Sequence, residues 1–343
     1  MTGRVRSPVK LAVIAREVGV SISTVSKVVN GRADVASGTR ARVQEALRRH
    51  GYRHAASPAA GAKLNSALLD VVIHELDSAW ASTLVSGTER AASERGLNIV
   101  VSTVQLDQGP PVPPRRWLDQ VAARGTCGVL GILTEFTATQ MAYLRDGRIP
   151  CVVIDPAAEP DPAVATVRID NRASQHRLTQ HLIELGHKKI ALVAGNPSSL
   201  PATEREAGFE EAMRAAGLEP RWRKTGGFGR ESSQEAMAEL MALADRPTAV
   251  MFASDKGALG ALAEANRLGL RVPDDVSITG FDDIPDAAGA IPALTTVRQP
   301  VPEMVEAAIR HLTEAGTPGE TIECTAALMI RATTAGPLVS LRR

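Results

Sequence analysis

The stretch 11-LAVIAREVGVSISTVSKVVN-30 decides the fold of the N-terminal part of this chain. Apolar residues recur at helical spacing through residues 11–18, and Gly19 ends that helix. Ser21 is a suitable N-cap for a second helix over residues 22–29. Two helices joined by a short turn of this kind predict a helix-turn-helix.

The predicted helix-turn-helix has a buried face and a polar outer face. Ala15, Val20 and Val25 can pack the two helices together. The second helix of such a motif enters the major groove of DNA with its N-terminus first, where hydroxyls suit phosphates and a lysine can donate to guanine. An ordinary helical hairpin with a solvated polar face is the alternative. The residues left facing outward are Ile22, Ser23, Thr24, Ser26 and Lys27.

Charge supports the DNA-binding interpretation. The chain of 343 residues has a net charge of +1, but residues 1–60 contain eleven Lys or Arg and three Asp or Glu. This head therefore carries +8 and the remainder carries −7. A third helix, predicted over residues 39–50, completes the head. A basic head on an acidic body indicates that the head meets a polyanion.

Composition excludes several classes of protein. Hydrophobic residues make up 44% and charged residues 22%, as in a soluble globular protein of two or three domains. No apolar run reaches the roughly 18 residues that span a bilayer, and MTGRVRSPVK lacks the apolar stretch of a signal peptide. Cys127, Cys151 and Cys324 are too far apart for metal-ligand spacings. We expect a cytoplasmic protein with no membrane partner, no metal and no cofactor.

Beyond residue 67 the pattern of the chain changes to strands that alternate with helices. Such alternation implies parallel sheets with helices on both faces, and the number of strands implies two sheets and therefore two lobes. The predicted strands lie at 68–74, 98–103, 128–133, 151–154, 163–167, 190–194, 249–252 and 276–280, and the predicted helices at 79–95, 174–185, 204–216, 232–244 and 256–268.

Several long motifs carry a resemblance to a known family. VKLAVIAREVGVSISTVSKVVNG (9–31) and TRARVQEALRRHGYR (39–53) closely resemble the head of the LacI/GalR family of bacterial repressors. The resemblance implies an all-α helix-turn-helix head plus an α/β core of two periplasmic-binding-protein-like lobes with parallel sheets. It also implies homodimers that bind near-palindromic double-stranded DNA operators. Further segments that resemble family landmarks, in family order, are HLIELGHKKIALVAG (181–195), TEREAGFEEAMRAAG (203–217), PTAVMFASDKGALGAL (247–262), GLRVPDDVSITGFDDI (269–284) and PALTTVRQP (292–300).

The domain boundaries follow from these motifs and from the small-residue stretch after the head. We place a helix-turn-helix DNA-binding domain at 1–54, a hinge or linker at 55–67, a ligand-binding and dimerisation core at 68–335 and a tail at 336–343. Within the core, the N-lobe covers about 68–165 and 295–325, and the C-lobe about 166–294 and 326–335.

The resemblance also assigns the residues that contact DNA. Ile22, Ser23 and Lys27 occupy base-reading positions. Lys27 stands where arginine is more common, and lysine cannot make the same rigid bidentate contact. The phosphate-contacting positions are held by Ser21, Thr24, Ser26, Asn30 and Tyr52.

The hinge departs from the family pattern. Gly61 stands where the family usually carries a leucine that wedges into the minor groove, and Leu64, three residues later, is the nearest substitute. Pro58 and Gly61 both disfavour a helix in this segment. We expect operator recognition without the wedge, with insertion of Leu64 as the alternative.

In two-lobed α/β proteins, ligands bind beyond the carboxyl ends of the strands. Carboxylates, one arginine and an aromatic face suit the hydroxyls and ring faces of a sugar. Asp255 could instead be the N-cap of the helix that starts at Lys256, Trp80 could be lobe packing, and Asp283 is interpreted as structural. The resemblance places near the effector Asp77, Ser78, Trp80, Asp155, Arg205, Ser254, Asp255 and Asp282.

These observations predict a sequence-specific DNA-binding transcriptional regulator, a repressor of carbohydrate-utilisation genes controlled by a mono- or oligosaccharide effector. One alternative is a regulator that responds to a non-sugar metabolite such as a nucleobase. Another is a carbohydrate-binding protein without DNA function. A sugar-processing enzyme would need a nucleophile or a phosphate loop, and the chain contains no P-loop, GxSxG or GxGxxG motif. We therefore expect no enzymatic activity.

Overall fold

The structure is a computed structural model that describes residues 11–29, 36–49, 67–104, 111–226, 228–314 and 316–337. These residues form two compact units. One is built on three N-terminal helices, and the other holds the described strands. The predicted hinge at 55–67 lies outside the described residues except for its last position.

The head consists of α1 (Leu11–Val18), α2 (Ile22–Val29) and α3 (Ser37–Arg49). The first two helices confirm the predicted bounds, and α3 begins two residues before its predicted start. Burial of an apolar stripe from each helix holds this small unit together. The buried residues of the stripe are Ile14, Ala15, Val25, Val28, Val43 and Ala46.

The described part of the core has nine helices and twelve strands. The helices are α4 (Ala79–Ser93), α5 (Arg115–Arg124), α6 (Ala138–Asp146), α7 (Asn171–Glu184), α8 (Leu200–Ala215), α9 (Arg230–Met241), α10 (Asp255–Arg267), α11 (Pro285–Gly289) and α12 (Val301–Thr313). The strands are β1 (Leu68–Ile73), β2 (Asn98–Thr103), β3 (Gly128–Ile132), β4 (Cys151–Ile154), β5 (Ala165–Ile169), β6 (Ile190–Ala194), β7 (Trp222–Thr225), β8 (Ala249–Phe252), β9 (Ser277–Thr279), β10 (Thr296–Arg298), β11 (Thr321–Cys324) and β12 (Ala327–Met329).

The strands confirm the two predicted parallel sheets. The first sheet has six strands in the order β11-β5-β4-β3-β1-β2, and the second has four in the order β7-β6-β8-β9. Neighbouring strands in both sheets run parallel. Every residue of β3 and β8 is buried, because helices cover both faces of such a sheet and apolar runs fill its centre.

The predicted boundary between the lobes at 165/166 is wrong by one strand. β5 pairs with β4 and β11 along its whole length, so the first sheet continues to Ile169. The crossover to the second lobe follows at Asp170, where α7 begins. The sequence of β5 does not show to which sheet the strand belongs, because a buried strand has the same apolar pattern in either sheet.

Two further features escaped the sequence analysis. β7 is an edge strand with mostly exposed side chains, so it lacks the apolar run that marks the central strands. β10 and β12 form an antiparallel ribbon that joins segments predicted to lie in different lobes. The ribbon depends on pairing between residues about thirty positions apart, which local patterns do not encode.

Backbone strain is concentrated at the carboxyl ends of the strands. Among the described non-glycine residues with positive φ, Leu133 (48°) follows β3, Asp155 (45°) follows β4, and Asp282 (119°) and Asp283 (56°) follow β9. Non-glycine residues in these conformations cost free energy and cluster at functional sites. This edge of the core is therefore the place to look for a binding site.

Candidate functional site

The turn between α1 and α2 has the geometry that the helix-turn-helix requires. Gly19 adopts a φ of +70°, which residues with a side chain rarely do. The amide of Val20 then donates to the carbonyl of Ala15 at 3.0 Å, which closes the end of α1. Val25 is fully buried and Ala15 nearly so, which confirms their predicted packing role, while Val20 is only half-buried beside them.

Ser21 fixes the N-terminus of α2. Its Oγ accepts a hydrogen bond from the amide of Thr24 at 3.1 Å and lies 2.8 Å from the Thr24 hydroxyl. It also lies 2.7 Å from the hydroxyl of Ser23. The capping confirms the sequence prediction for this position. The phosphate contacts predicted for Ser21 and Thr24 remain predictions.

The residues predicted to read bases lie on the outside of α2. Ile22 is 54% exposed although it is a large apolar residue, and Ser23 and Lys27 are exposed beside it. An exposed surface with an apolar, a hydroxyl and a cationic group offers the contacts that distinguish base edges. The side chain of Ser26, and Asn30 and Tyr52 altogether, lie outside the described residues.

In the core, Arg205 is the centre of a buried polar cluster at the strand ends. This α8 residue is 6% exposed. Its Nε donates to Oδ1 of Asn171 at 2.8 Å, and its Nη1 donates to the carbonyl of Ala253 at 2.7 Å. Its guanidinium carbon lies 3.6 Å from the ring centroid of Phe281, a cation–π contact. The guanidinium is therefore fixed in position from three sides.

Three carboxylates surround this guanidinium; we call them, with Arg205, the Arg205 cluster. Asp282 Oδ1 lies 3.7 Å from Nη1 of Arg205, and Asp155 and Asp255 are close enough to act on its charge. Burial raises the pKa of Asp155 to about 6 and that of Asp282 to about 6, although Arg205 opposes both shifts. Burial also lowers the pKa of Arg205, against the pull of the carboxylates. The carboxyl groups of the cluster therefore outnumber its one guanidinium in surroundings shielded from solvent.

Asp255 has a different place from the one predicted. Ser254 is the N-cap of α10, with its Oγ accepting from the amide of Gly257 at 3.1 Å, so the N-cap alternative for Asp255 is wrong. The Asp255 carboxylate is fully buried and accepts from the Ile284 amide at 2.9 Å and the Thr296 hydroxyl at 2.5 Å. Burial raises its pKa well above the usual range. These bonds tie α10 to two segments that follow β9.

Asp283 is structural in the way the sequence analysis interpreted it. Its Oδ2 lies 2.6 Å from Nε of Arg298, and its Oδ1 lies 2.6 Å from Nη2 of Arg331. The carboxylate therefore joins the segment after β9 to both sides of the β10–β12 ribbon. Its two ion pairs support the structural interpretation.

The remaining predicted ligand residues lie around the N-terminus of α4. Ser78 caps that helix by accepting from the Ala81 amide at 3.1 Å. Asp77 is exposed, 3.7 Å from Nζ of Lys256 at the start of α10. Trp80 packs against the hydrophobic clusters of both lobes, and its Nε1 is buried with no hydrogen-bond partner in the structure. Trp80 therefore has a packing role, and its ligand contact stays a prediction.

Two cavities lie in the part of the core that the structure describes. A cavity of about 440 Å³ lies beside the Arg205 cluster, bordered by Asn171 and Glu204, and one of about 740 Å³ lies along α4 and the start of α12. Arg205, Asp155 and Asp282 border neither of these two. In this structure Arg205 donates to Asn171 and to the carbonyl of Ala253, and Asp282 accepts from Gln299.

Comparisons with known proteins match both units. Residues 10–54 match the model of bacterial regulatory proteins of the lacI family, and residues 179–334 match that of a periplasmic binding protein-like domain. The transcriptional regulator MalR of Streptomyces coelicolor is 34% identical over 323 aligned positions, which cover 90% of this chain and 91% of MalR. The chain belongs to the LacI family.

Other LacI-family proteins resemble it over nearly its full length. The transcriptional repressor PurR of Klebsiella pneumoniae is 31% identical, with 96% of this chain and 98% of PurR covered. The lac repressor dimer bound to operator and the anti-inducer ONPF is 26% identical with a TM-score of 0.68, covering 96% of this chain and all of that one. The CelR–cellobiose complex is 29% identical with a TM-score of 0.68, covering 95% and 100%.

Membership of the LacI family makes this chain a DNA-binding transcriptional regulator and not an enzyme. In the part of the chain that the structure describes, no helix is long and apolar enough to cross a membrane. The same residues contain no group of three or more His, Cys, Asp or Glu side chains placed to hold a metal ion.

The sequence analysis of this LacI-family regulator missed three residues of the site. Asn171 orients Arg205 and sits at the first crossover between the lobes. Gln299 donates to Asp282 at 2.7 Å. Phe228 follows β7; its carbonyl accepts from Ser254, and its ring fills the space over Gly195. An aromatic residue three positions after the end of a strand could have indicated Phe228, but β7 itself was not predicted.

Proposed function

We propose that this LacI-family regulator represses carbohydrate-utilisation genes, binds a near-palindromic operator as a homodimer, and responds to a sugar-like effector held at the Arg205 cluster. The observation that carries the effector proposal is the buried set of one guanidinium and several carboxylates at the strained ends of parallel strands. Ligands of two-lobed α/β proteins occupy this edge.

The chemistry of the cluster suits hydroxyl groups. Asp155 and Asp282 can accept hydrogen bonds, and Arg205 can donate them. The 3.7 Å between Asp282 Oδ1 and Arg205 Nη1 is longer than a hydrogen bond, so the two groups are not satisfied by each other alone. A ligand hydroxyl that accepts from Arg205 and donates to Asp282 would replace this long contact with two short ones. Entry of the ligand requires the lobes to separate, since both side chains are buried.

An aromatic face near the cluster would complete a sugar site. Trp80 lies where the two lobes meet, and its indole N–H lacks a partner. Phe228 offers a second ring at the end of β7. Apolar ring faces pack against aromatic side chains, and a buried indole N–H normally finds a hydrogen-bond acceptor. Both residues therefore support a ligand with a flat apolar face and several hydroxyls.

The relatives support the same proposal. The similar CelR structure holds cellobiose, and catabolite control protein A of Priestia megaterium is 30% identical over 88% of this chain. The lac repressor structure is a dimer on its operator, which supports the homodimer. A nucleobase effector is the alternative, because a planar ring would also suit Trp80.

A ligand screen followed by operator binding tests the proposal. Thermal shift with mono- and oligosaccharides and with nucleobases identifies a ligand, and gel shift on the chain's own upstream region measures its effect. We expect a saccharide to change operator affinity. Arg205→Ala and Asp282→Asn should abolish that response and leave ligand-free operator binding intact, because the site and the head belong to different units. Asp146→Asn, at an exposed residue of α6, is the matched control.

Unfolding must be separated from loss of the site. A buried charge that loses its partner costs about 1–3 kcal/mol, so melting temperatures accompany each binding measurement. A folded Arg205→Ala variant that responds to the ligand with unchanged affinity would contradict the assignment of the site. If a nucleobase and no saccharide changes operator affinity, the proposed sugar effector is refuted, whereas the proposed effector-controlled regulator stands.

A further inference from the structure

We infer that the Arg205 cluster selects uncharged, hydroxyl-bearing effectors and rejects their phosphorylated or carboxylate-bearing counterparts. The inference rests on the proposed function, since it assumes that the effector binds at this cluster. Its grounds are the balance of charge around the site, the commitment of Arg205 to protein acceptors, and neutral polar groups that lack partners.

Acidic groups exceed basic groups around the site. Arg205 is opposed by Asp155, Asp255 and Asp282. Its neighbour Glu204 is paired with Arg168, so this pair adds no net charge. Even with Asp255 protonated, as its burial favours, two carboxylates face one guanidinium at neutral pH. A ligand anion would therefore enter a field that is already negative.

Acidic groups also accompany the basic groups at the outer edge of the site. Glu75 and Asp77 lie together before α4; burial, and after it the charge of Asp77, raises the pKa of Glu75. Lys256 is the cation near them, 3.7 Å from Asp77. Arg298 and Arg331 are both engaged by Asp283. Each of these three cations, Lys256, Arg298 and Arg331, therefore already faces a carboxylate of the protein.

Arg205 itself is poorly placed to hold an anion. A guanidinium binds a carboxylate or phosphate through two parallel N–H groups along one edge. Its two such edges each contain a nitrogen that already donates to the protein, Nε to Asn171 and Nη1 to the carbonyl of Ala253. Phe281 covers one face of the group. Single hydrogen bonds to hydroxyls can be added without disturbing these contacts, whereas bidentate binding of an anion along the Nε edge would displace the bond to Asn171.

The helix N-termini at this edge already bind acceptors of the protein itself. Anions bind where several backbone N–H groups at a helix start lack partners. Ser78 caps α4 directly after Asp77, and Ser254 caps α10 directly before Asp255. Each helix start thus carries its own acceptor and an adjacent acid. A phosphate would compete with both.

Neutral groups at the same edge lack partners. Thr134, which follows β3, is fully buried, and its hydroxyl has no hydrogen-bond partner in the structure. Gln299 is 4% exposed; its Nε2 donates to Asp282, while its Oε1 has no partner. Buried polar atoms without partners cost free energy. A hydroxyl group of the ligand can donate to the amide oxygen and can also bond the Thr134 hydroxyl, whereas a carboxylate or fully ionised phosphate group placed there has no proton to donate to the amide oxygen.

Matched ligand pairs test the inference with the full-length chain. Isothermal titration calorimetry at neutral pH and low salt compares glucose with glucose 6-phosphate and with glucuronate, and ribose with ribose 5-phosphate; cellobiose and maltose extend the neutral set. We expect the tightest ligand to be neutral and each anionic counterpart to bind at least about tenfold more weakly. Asp155→Asn should narrow the ratio between the neutral and phosphorylated sugars, and Asp146→Asn should leave it unchanged.

The outcomes separate this inference from the proposed function. Tighter binding of a phosphorylated or acidic sugar than of its neutral counterpart overturns the inference, as does a panel in which no neutral member binds. If such an anion also changes operator affinity, the proposed regulator stands. If a neutral sugar binds best but no ligand changes operator affinity, the charge selectivity stands and the proposed effector control fails. Melting temperature confirms that Asp155→Asn remains folded.

Discussion

Replacing Asp155 by asparagine removes a titrating group from the interior while nearly preserving its size. The side chain is 1% exposed at the end of β4. Its carboxylate accepts a long hydrogen bond from the Ile169 amide at 3.4 Å, and Arg205 supplies a partial counter-charge. Burial therefore dominates and raises its pKa from the ordinary value of 3.8 to about 6.

The sign of the effect on stability follows from this raised pKa. Above pH 6, the carboxylate is ionised in both the folded and the unfolded chain, and the folded chain bears the full cost of the buried charge. As pH falls through the folded pKa, the folded chain takes up a proton before the unfolded chain does, so its stability increases. Below the unfolded pKa, both are protonated and no further change occurs.

The magnitude follows from the two pKa values. Their difference corresponds to about 3 kcal/mol in total, of which about 2 kcal/mol appears between about pH 7.5 and about pH 4.5. We expect the free energy of unfolding of the wild type, measured relative to Asp155→Asn, to increase by that amount over this interval. The variant is the reference because asparagine does not titrate.

Urea unfolding of the core at both pH values measures this difference. The exposed-site variant Asp146→Asn serves as the control and should follow the wild type. A wild-type-minus-Asp155→Asn difference that stays flat within about 0.5 kcal/mol would show that Asp155 ionises normally. The buried charge balance on which the selectivity argument depends would then be incorrect.

Four further predictions concern the head, the hinge and assembly. In gel shifts, Lys27→Ala should weaken binding to the operator by about 1–3 kcal/mol and should weaken binding to random DNA less. Arg40→Ala should weaken binding to both kinds of DNA alike. Equal losses of operator and random-DNA binding for Lys27→Ala would refute its base contact. Ile14 is fully buried, so Ile14→Ala should lower the free energy of unfolding of the head by about 2–5 kcal/mol and abolish operator binding. Ligand binding, measured by calorimetry, should not change. Retained operator affinity would contradict this prediction. Leu64→Ala, outside the described residues, should leave operator affinity and DNA bend angle nearly unchanged, since large losses in both would reveal a minor-groove wedge. Light scattering should show a dimer and no stable tetramer, because residues 331–343 lack a heptad repeat.

The local elements and the family could be predicted from the sequence. α1 and α2 have the predicted bounds because an apolar stripe, Gly19 and the Ser21 cap all act within one or two turns of helix. The buried strands of both sheets were found because a central parallel strand is a continuous apolar run between turns. These signals are short in range, so they survive without knowledge of the fold.

The tertiary structure alone decided which groups meet. β5 joins the first sheet, and Asp255 accepts from Thr296, 41 positions away, so the acid considered as a helix cap instead bonds a distant segment. Asn171 orients Arg205 because the tertiary structure brings these two residues, 34 positions apart, into contact. Long-range packing decides whether a polar side chain is available to a ligand or forms hydrogen bonds and ion pairs within the protein. The same packing buries the carboxylates of the site and so raises their pKa values.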